Sequence, residues 1–278
     1  MTAPDVLIAQ ISDLHVKRPG ELAYGQVDTA AALRHCVNEL NRLAPRPALV
    51  VISGDLVDTP LAEEYAHLAT LLAPLEIPFV AVPGNHDDRA MLRKALRQQD
   101  TASDGAINIA RKVGALDVLA LDSSVPGEPH GELDAATLAW LDGKLAASAA
   151  RPALLFLHHP PFVTGITHMD VQNLRNAAAL DALLRKHPRA RLVAAGHVHR
   201  ATLTMFAGVP ATICPAPNHA VALDLDAHLP PSLTVEPPAF HLHAWFAGDN
   251  FGRLVTHHVP IGDFPGPHPF FGDNGRLL

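Results

Sequence analysis

Short, largely apolar runs recur along the chain, and each ends in a polar cluster. Residues 6–11 lead into Ser12-Asp13-Leu14-His15, residues 48–52 into Ser53-Gly54-Asp55, and residues 79–82 into Pro83-Gly84-Asn85-His86-Asp87. Residues 118–121 lead into Asp122, residues 153–157 into His158-His159-Pro160-Pro161, and residues 192–195 into Gly196-His197-Val198-His199. Continuous rather than alternating runs of this length predict strands buried on both faces. Between them lie helical patterns. Residues 29–43 carry Leu33, Val37 and Leu40 on one face, with Asp28 placed to cap it. Pro60 stands at a first helical position for a segment reaching residue 73, where Pro74 ends it. Residues 134–147 and 178–187 are two further helices by the same criteria. Strand and helix alternate, so the expected class is α/β.

Beyond Gly208 the pattern changes. Residues 215–238 are rich in proline and leucine, the runs 240–246 and 254–259 read as a hairpin, and residues 262–271 are dense in Gly, Pro and Phe. The expectation is one domain over residues 1–278, with about 215–278 as a C-terminal extension or arm. In α/β folds the carboxyl ends of the strands form one rim where ligands bind. All six polar clusters follow such ends, so residues far apart in sequence are expected to meet.

Composition narrows the partners. The formal net charge is −7, which disfavours a nucleic-acid polymer as partner. The N-terminus lacks a basic segment and a long apolar segment, and no apolar run approaches the ~20 residues that span a bilayer. Cys36 and Cys214 make no disulfide framework, and a cytoplasmic protein is expected. Histidine is the anomaly, at 18 residues. That abundance favours a metal site, and spacing indicates which residues form it. Asp13 and His15 are two apart, as are His197 and His199, so in extended backbone each pair would point to one side. Asp55 and Asn85 each follow a glycine, and His158 closes a strand. Carboxylate, carbonyl and imidazole are the donors that borderline divalent cations take. Two cations sharing one carboxylate would lie roughly 3.5–4 Å apart and hold a hydroxide between them.

These blocks together resemble those of the calcineurin-like metallophosphoesterases: Asp13-Leu14-His15, Gly54-Asp55, Gly84-Asn85-His86-Asp87, His158 and Gly196-His197-Val198-His199. The finer resemblance is to class III cyclic nucleotide phosphodiesterases and the bacterial glycerophosphodiesterases. It includes Ile11-Ser12-Asp13, Leu121-Asp122-Ser123 and His158-His159-Pro160-Pro161, and continues loosely through Glu236-Pro237-Pro238 and Gly262-Asp263-Phe264-Pro265. The phosphoprotein phosphatases of that superfamily usually continue Gly-Asp with Arg and end the third block in Glu. Here Leu56 follows Asp55, and Asp87 follows His86.

The resemblance implies a four-layer fold, two packed β-sheets flanked by helices. It implies two divalent ions, drawn from iron, manganese, cobalt and zinc. One would be held by Asp13, His15 and His199 and the other by Asn85, His158 and His197, with Asp55 bridging. The implied reaction is attack of an activated hydroxide on a small phosphodiester: a glycerophosphodiester, a cyclic nucleotide or an aryl diester. His86 would face the substrate phosphate as a catalytic residue. A strict cyclic AMP phosphodiesterase is the alternative enzyme, and a metal-binding scaffold without catalysis is the alternative of another class. Among the neighbours, His159 is expected to point away from the ligands and Asp87 and Asp88 to cap a helix. His168, His219, His241, His243, His257, His258 and His268 are expected at the surface or satisfied in the core, with the cleft as the alternative place for His219. The apolar tail predicts a homo-oligomer, since residues 264–271 would otherwise face water or fold back on their own chain.

Overall fold

The structure is a computed structural model that describes residues 3–96, 105–147, 151–248, 252–272 and 276–277. Its centre is a pair of packed sheets. In the first, the strands Val6–Ile11, Leu49–Ser53 and Phe79–Val82 run parallel in that order. The strand Ala239–Phe246 pairs antiparallel with the first of these, and Arg253–Pro260 closes that edge as its hairpin partner. The hairpin expected near the C-terminus therefore extends the first sheet. The second sheet has a parallel centre of Leu116–Ala120, Ala153–Phe156, Ala190–Ala195 and Val209–Ile213. Its edges are antiparallel, Ile109–Val113 on one side and Thr202–Phe206 on the other.

Helices cover the outer faces. Thr29–Arg42 buries Leu33, Cys36, Val37 and Leu40, an i, i+3, i+4, i+7 stripe, against the first sheet. Asp28 caps it, its carboxylate accepting from the Ala31 N–H at 2.8 Å, a contact worth about 1 kcal/mol. The helix Ala135–Ala146 is capped in the same way by Asp134 and covers the second sheet together with Ala177–Leu184. The order is helix, sheet, sheet, helix, the expected four layers.

The differences from the sequence reading have local causes. The second helix begins at Ala62, and Pro60 lies outside it. The Glu64 carboxylate there accepts from the Thr59 N–H at 2.7 Å and draws the approach into a turn. The helix 177–184 stops three residues early, ahead of Pro188, which disfavours helical backbone before it. The strand expected at 118–121 spans Leu116–Ala120. Asp117 interrupts the apolar pattern there because it pairs with Arg151 and Arg189 at the end of the sheet, at 3.0 and 2.9 Å. No helix among the described residues is long and apolar enough to cross a membrane.

Candidate metal centre

The strands stop before the chemistry begins. The strand Val6–Ile11 ends at Ile11, Leu49–Ser53 at Ser53 and Ala190–Ala195 at Ala195, so Asp13, Asp55 and His197 sit in the loops beyond. The pairs at positions 13/15 and 197/199 are therefore not in extended backbone, contrary to expectation. Asp13, His15, Asp55, His197 and His199 all have positive φ, between 44° and 74°. Left-handed backbone is uncommon for residues other than glycine and costs of order 1–3 kcal/mol each, so surrounding contacts must enforce it. They are visible: Asp13 N–H donates to the Gly54 carbonyl, His15 N–H to the Asp55 carbonyl and Val16 N–H to the Leu56 carbonyl, at 3.0, 3.0 and 3.1 Å. Two ligand-bearing loops are thus laced together. Asn218 supports the same turn, its amide donating to the carbonyls of Asp13 and Leu14 at 2.9 and 3.0 Å.

All seven residues expected as ligands converge. His15 Nε2 lies 3.2 Å from His199 Nε2 and 3.6 Å from Asp55 Oδ2, and His199 Nε2 lies 3.4 Å from Asp13 Oδ1. On the other side, His158 Nε2 stands 3.2 Å from both Asp55 Oδ2 and Asn85 Oδ1. His197 lies beside this second group, its ring centroid 5.2 Å from that of His158. Donors roughly 2.0–2.2 Å from a common cation stand about 3–3.6 Å apart at tetrahedral or octahedral angles. The observed spacings fit two such groups, with Asp55 touching both. His197 Nε2 is buried without a hydrogen-bond partner among the described residues, which also fits a donor reserved for a cation.

Charge and hydrogen bonding prepare the donors. His158 Nδ1 donates to the Ser53 carbonyl at 2.9 Å, which directs its Nε2 lone pair inward. His15 Nδ1 faces the Asp58 carboxylate at 3.4 Å without a well-formed hydrogen bond, and Lys17 holds that carboxylate at 2.6 Å. Burial works against the charge on Asp55, yet His158 and His86 beside it hold its carboxyl well below the usual range. Burial likewise opposes charge on His158, while Asp55 and Asp13 raise it to about 9, so a cation binding at its Nε2 would displace a proton. Burial, with His158 near one and His15 near the other, pushes His197 and His199 well below the ordinary histidine value, so both are neutral imidazoles. Two glycines make room. A Cβ on Gly84 would overlap the Asp55 carboxylate, and one on Gly196 would overlap Ser12 and Asp13.

The neighbours divide differently than expected. Asp88 does cap the helix Arg89–Leu96, its carboxylate accepting from Met91 N–H at 2.8 Å. Asp87 does not cap; it is a buried clamp that accepts from the N–H groups of Gly84 and Leu56, at 2.9 and 3.1 Å, and from the Tyr65 hydroxyl. Burial, with Asp55 nearby, pushes the Asp87 carboxyl up to about 6. His159 lies closer to the ligands than expected. It bonds Ser123 Oγ at 2.9 Å, and its ring centroid is 4.9 Å from that of His197. His86 donates its N–H to Asp55 Oδ1 at 2.9 Å, and its Nδ1 donates to the Asp58 carbonyl at 2.7 Å, leaving Nε2 for the cleft. The cleft has a volume of about 370 Å³. Met169, Val221, Pro231 and Leu233 form its apolar walls, and His168, Gln172 and Ser232 its polar ones. His168, expected at the surface or satisfied in the core, thus lines it, as do His219 and Tyr24. Asn218 and His219 were missed as a block, though they follow the strand Val209–Ile213 by the rule that located the others.

Comparison with known proteins agrees with this geometry. Residues 6–201 match the family model of the calcineurin-like phosphoesterases. A probable glycerophosphodiester phosphodiesterase, GpdQ, of Arcobacter nitrofigilis is 36% identical over 98% of this chain and 100% of its own. A 3',5'-cyclic adenosine monophosphate phosphodiesterase, CpdA, of Escherichia coli strain K12 is 35% identical over 70% of each chain. Among solved structures, a dimetal phosphatase from Danio rerio superposes with a TM-score of 0.69 at 16% identity, covering 94% of this chain and 98% of its own. The last comparison speaks to fold alone, but the family model and the relatives carry the assignment: this chain belongs to the calcineurin-like phosphoesterases.

Proposed function

We propose that the protein is a dinuclear metal-dependent phosphodiesterase acting on small diesters, glycerophosphodiesters first among them. The observation that carries this is the convergence of seven donor side chains, none missing, on one rim of an open cleft. Asp13, His15 and His199 would hold one ion and Asn85, His158 and His197 the other, with Asp55 shared. When bound, two divalent cations supply Lewis acidity toward the phosphoryl oxygens and a hydroxide nucleophile at neutral pH. The chain's own residues do the rest. Asp55 and the imidazoles would fix where the phosphoryl group sits, and His86 Nε2, left free at the cleft, would serve the leaving oxygen. Among the described residues no lysine or arginine lines the cleft, which suits a singly charged diester better than a dianionic monoester. Iron, manganese, cobalt and zinc all accept this nitrogen and oxygen donor set. Buried free thiols at Cys36 and Cys214 accord with a cytoplasmic setting. A strict cyclic AMP phosphodiesterase is the second reading. The glycerophosphodiesterase relative, aligned over its whole length, favours the first. The test is a substrate panel on metal-loaded protein, comparing kcat/KM for glycerophosphodiesters, cyclic nucleotides and an aryl diester. A clear preference for cyclic AMP overturns the first reading, and inactivity on every diester overturns both.

Asn85 offers a neutral carbonyl, the weakest donor of the set. Asn85→Ala is expected to lower the ion content from two per chain to one, read by elemental analysis after dialysis; two retained ions would reject the assignment of Asn85. The tail is also proposed to serve assembly. Phe264, Phe270 and Phe271 are 62%, 79% and 59% exposed, so much of their surface is uncovered among the described residues. A second copy of the chain is the expected cover. Light scattering should give a multimer that weakens when residues 264–278 are deleted, and a monomer in both forms would refute it.

A further inference from the structure

Between the two sheets lies a buried polar chain that the proposed reaction does not use. Gln10 is fully buried on the strand Val6–Ile11. Its amide nitrogen lies 2.9 Å from Ser53 Oγ and 3.1 Å from the Ala195 carbonyl. A carbonyl only accepts, so the amide NH2 must face it, and Oε1 must face the other way. There Oε1 meets His243 Nε2 at 3.3 Å, which therefore carries the proton. His243 Nδ1 is left to accept from Thr256 Oγ1 at 2.9 Å. His243 is also fully buried, on the strand Ala239–Phe246. One unambiguous acceptor thus fixes every donor along the line.

The residues that Gln10 holds are informative. Its own strand leads to Asp13. Ser53 leads to Asp55, and the Ser53 carbonyl accepts from both His158 Nδ1 and Ser12 Oγ, at 2.9 and 3.1 Å. Ala195 precedes Gly196 and His197, in a place where even a Cβ cannot fit. One side chain therefore joins three of the loops that carry ligands and spans both sheets.

We infer that Gln10, oriented by His243, is a positioning residue for the metal centre, acting chiefly on His158 and His197 and hence on the ion they would share with Asn85. The inference rests on the proposed function for the existence of that ion. Partners one shell removed from a ligand typically change metal affinity 10–100-fold. Gln10 acts through Ser53 and Ala195, so the lower end, about tenfold, is expected.

Cobalt(II) is the probe, because its visible spectrum reports occupancy and ligand geometry without turnover. In Gln10→Met, similar in length and apolar, the Kd for the weaker cobalt ion is expected to rise about tenfold and its absorption bands to shift. Thermal stability of the metal-free protein should fall as well, since His243 and Ala195 are left unpaired. The double variant Gln10→Met/His243→Leu removes the stranded donor. It should regain thermal stability and keep the weakened affinity. Parent-like cobalt affinity and spectrum in either variant would overturn the inference, leaving Gln10 a tie between sheets. A parent protein that binds no cobalt would overturn the proposed function and this inference with it, so the two failures are distinguishable.

Discussion

Asp55→Asn should lower kcat by about 10³-fold or more, and complete chelation should abolish turnover. Asp55 reaches both groups of donors, its Oδ2 lying 3.6 Å from His15 Nε2 and 3.2 Å from His158 Nε2. It also accepts from the His86 N–H, so it anchors the loop that carries Asn85 as well. Its carboxyl is held ionised by the imidazoles beside it. The amide keeps the shape and removes the charge. Loss of a single stabilising contact at a reacting centre costs about 10²–10³-fold, and here a shared ligand is lost as well. The chelation arm uses verified metal-free protein and an aryl diester assay, with manganese added back to restore activity. Full activity without metal, or an Asp55→Asn variant within tenfold of the parent, would contradict the dinuclear reading.

His86→Ala should retain both ions yet lose turnover, and the loss should depend on the leaving group. The side chain is proposed to serve the substrate rather than an ion, although its ring nitrogen lies within reach of the donors of His15 and Asp55. Its Nδ1 is committed to the Asp58 carbonyl, and its ring stands edge-on to His15 with centroids 4.7 Å apart. Nε2 is then the nitrogen that can deliver a proton or a hydrogen bond. An aryl oxide departs without much help, whereas an alkoxide such as that of glycerol needs the proton, a contribution of typically 10²–10⁴-fold. Alkyl diesters should therefore suffer more than aryl diesters by at least about tenfold. Equal losses on both would reduce His86 to electrostatic stabilisation, and unchanged kcat on alkyl substrates would exclude both roles.

Much of this was legible along the chain because ligands follow strands. A buried strand announces itself by its apolar run, and its carboxyl end is then a known place. Asp13, Asp55, His158 and His197 were located in that way. What the reading lacked was the backbone beyond the strand. The i, i+2 spacing of Asp13 and His15 suggests an extended pair, whereas the chain turns left-handed at both. That conformation is imposed by hydrogen bonds from a loop about 40 residues away, which no local pattern encodes. Asp58 escaped notice for a similar reason: its role depends on meeting His15 across that same lacing. The outer strands Ile109–Val113 and Thr202–Phe206 were missed because edge strands are short and half-exposed, with no continuous apolar run.

The lacing of distant loops also bears on how the molecule comes into being. His15 meets His199 across 184 positions of sequence, and Asp13 accepts from the backbone of His197 across the same separation. Contacts of that range form slowly, because the chain entropy of closing the loop is lost before any contact rewards it. The emerging N-terminal half can form its three parallel strands, but it cannot form either group of donors. Ion capture would therefore be a late event, following the docking of the two sheets. Once it occurs, the binding free energy adds directly to the stability of the folded state. Cations bound at the two groups of donors would close the structure last and then hold it shut.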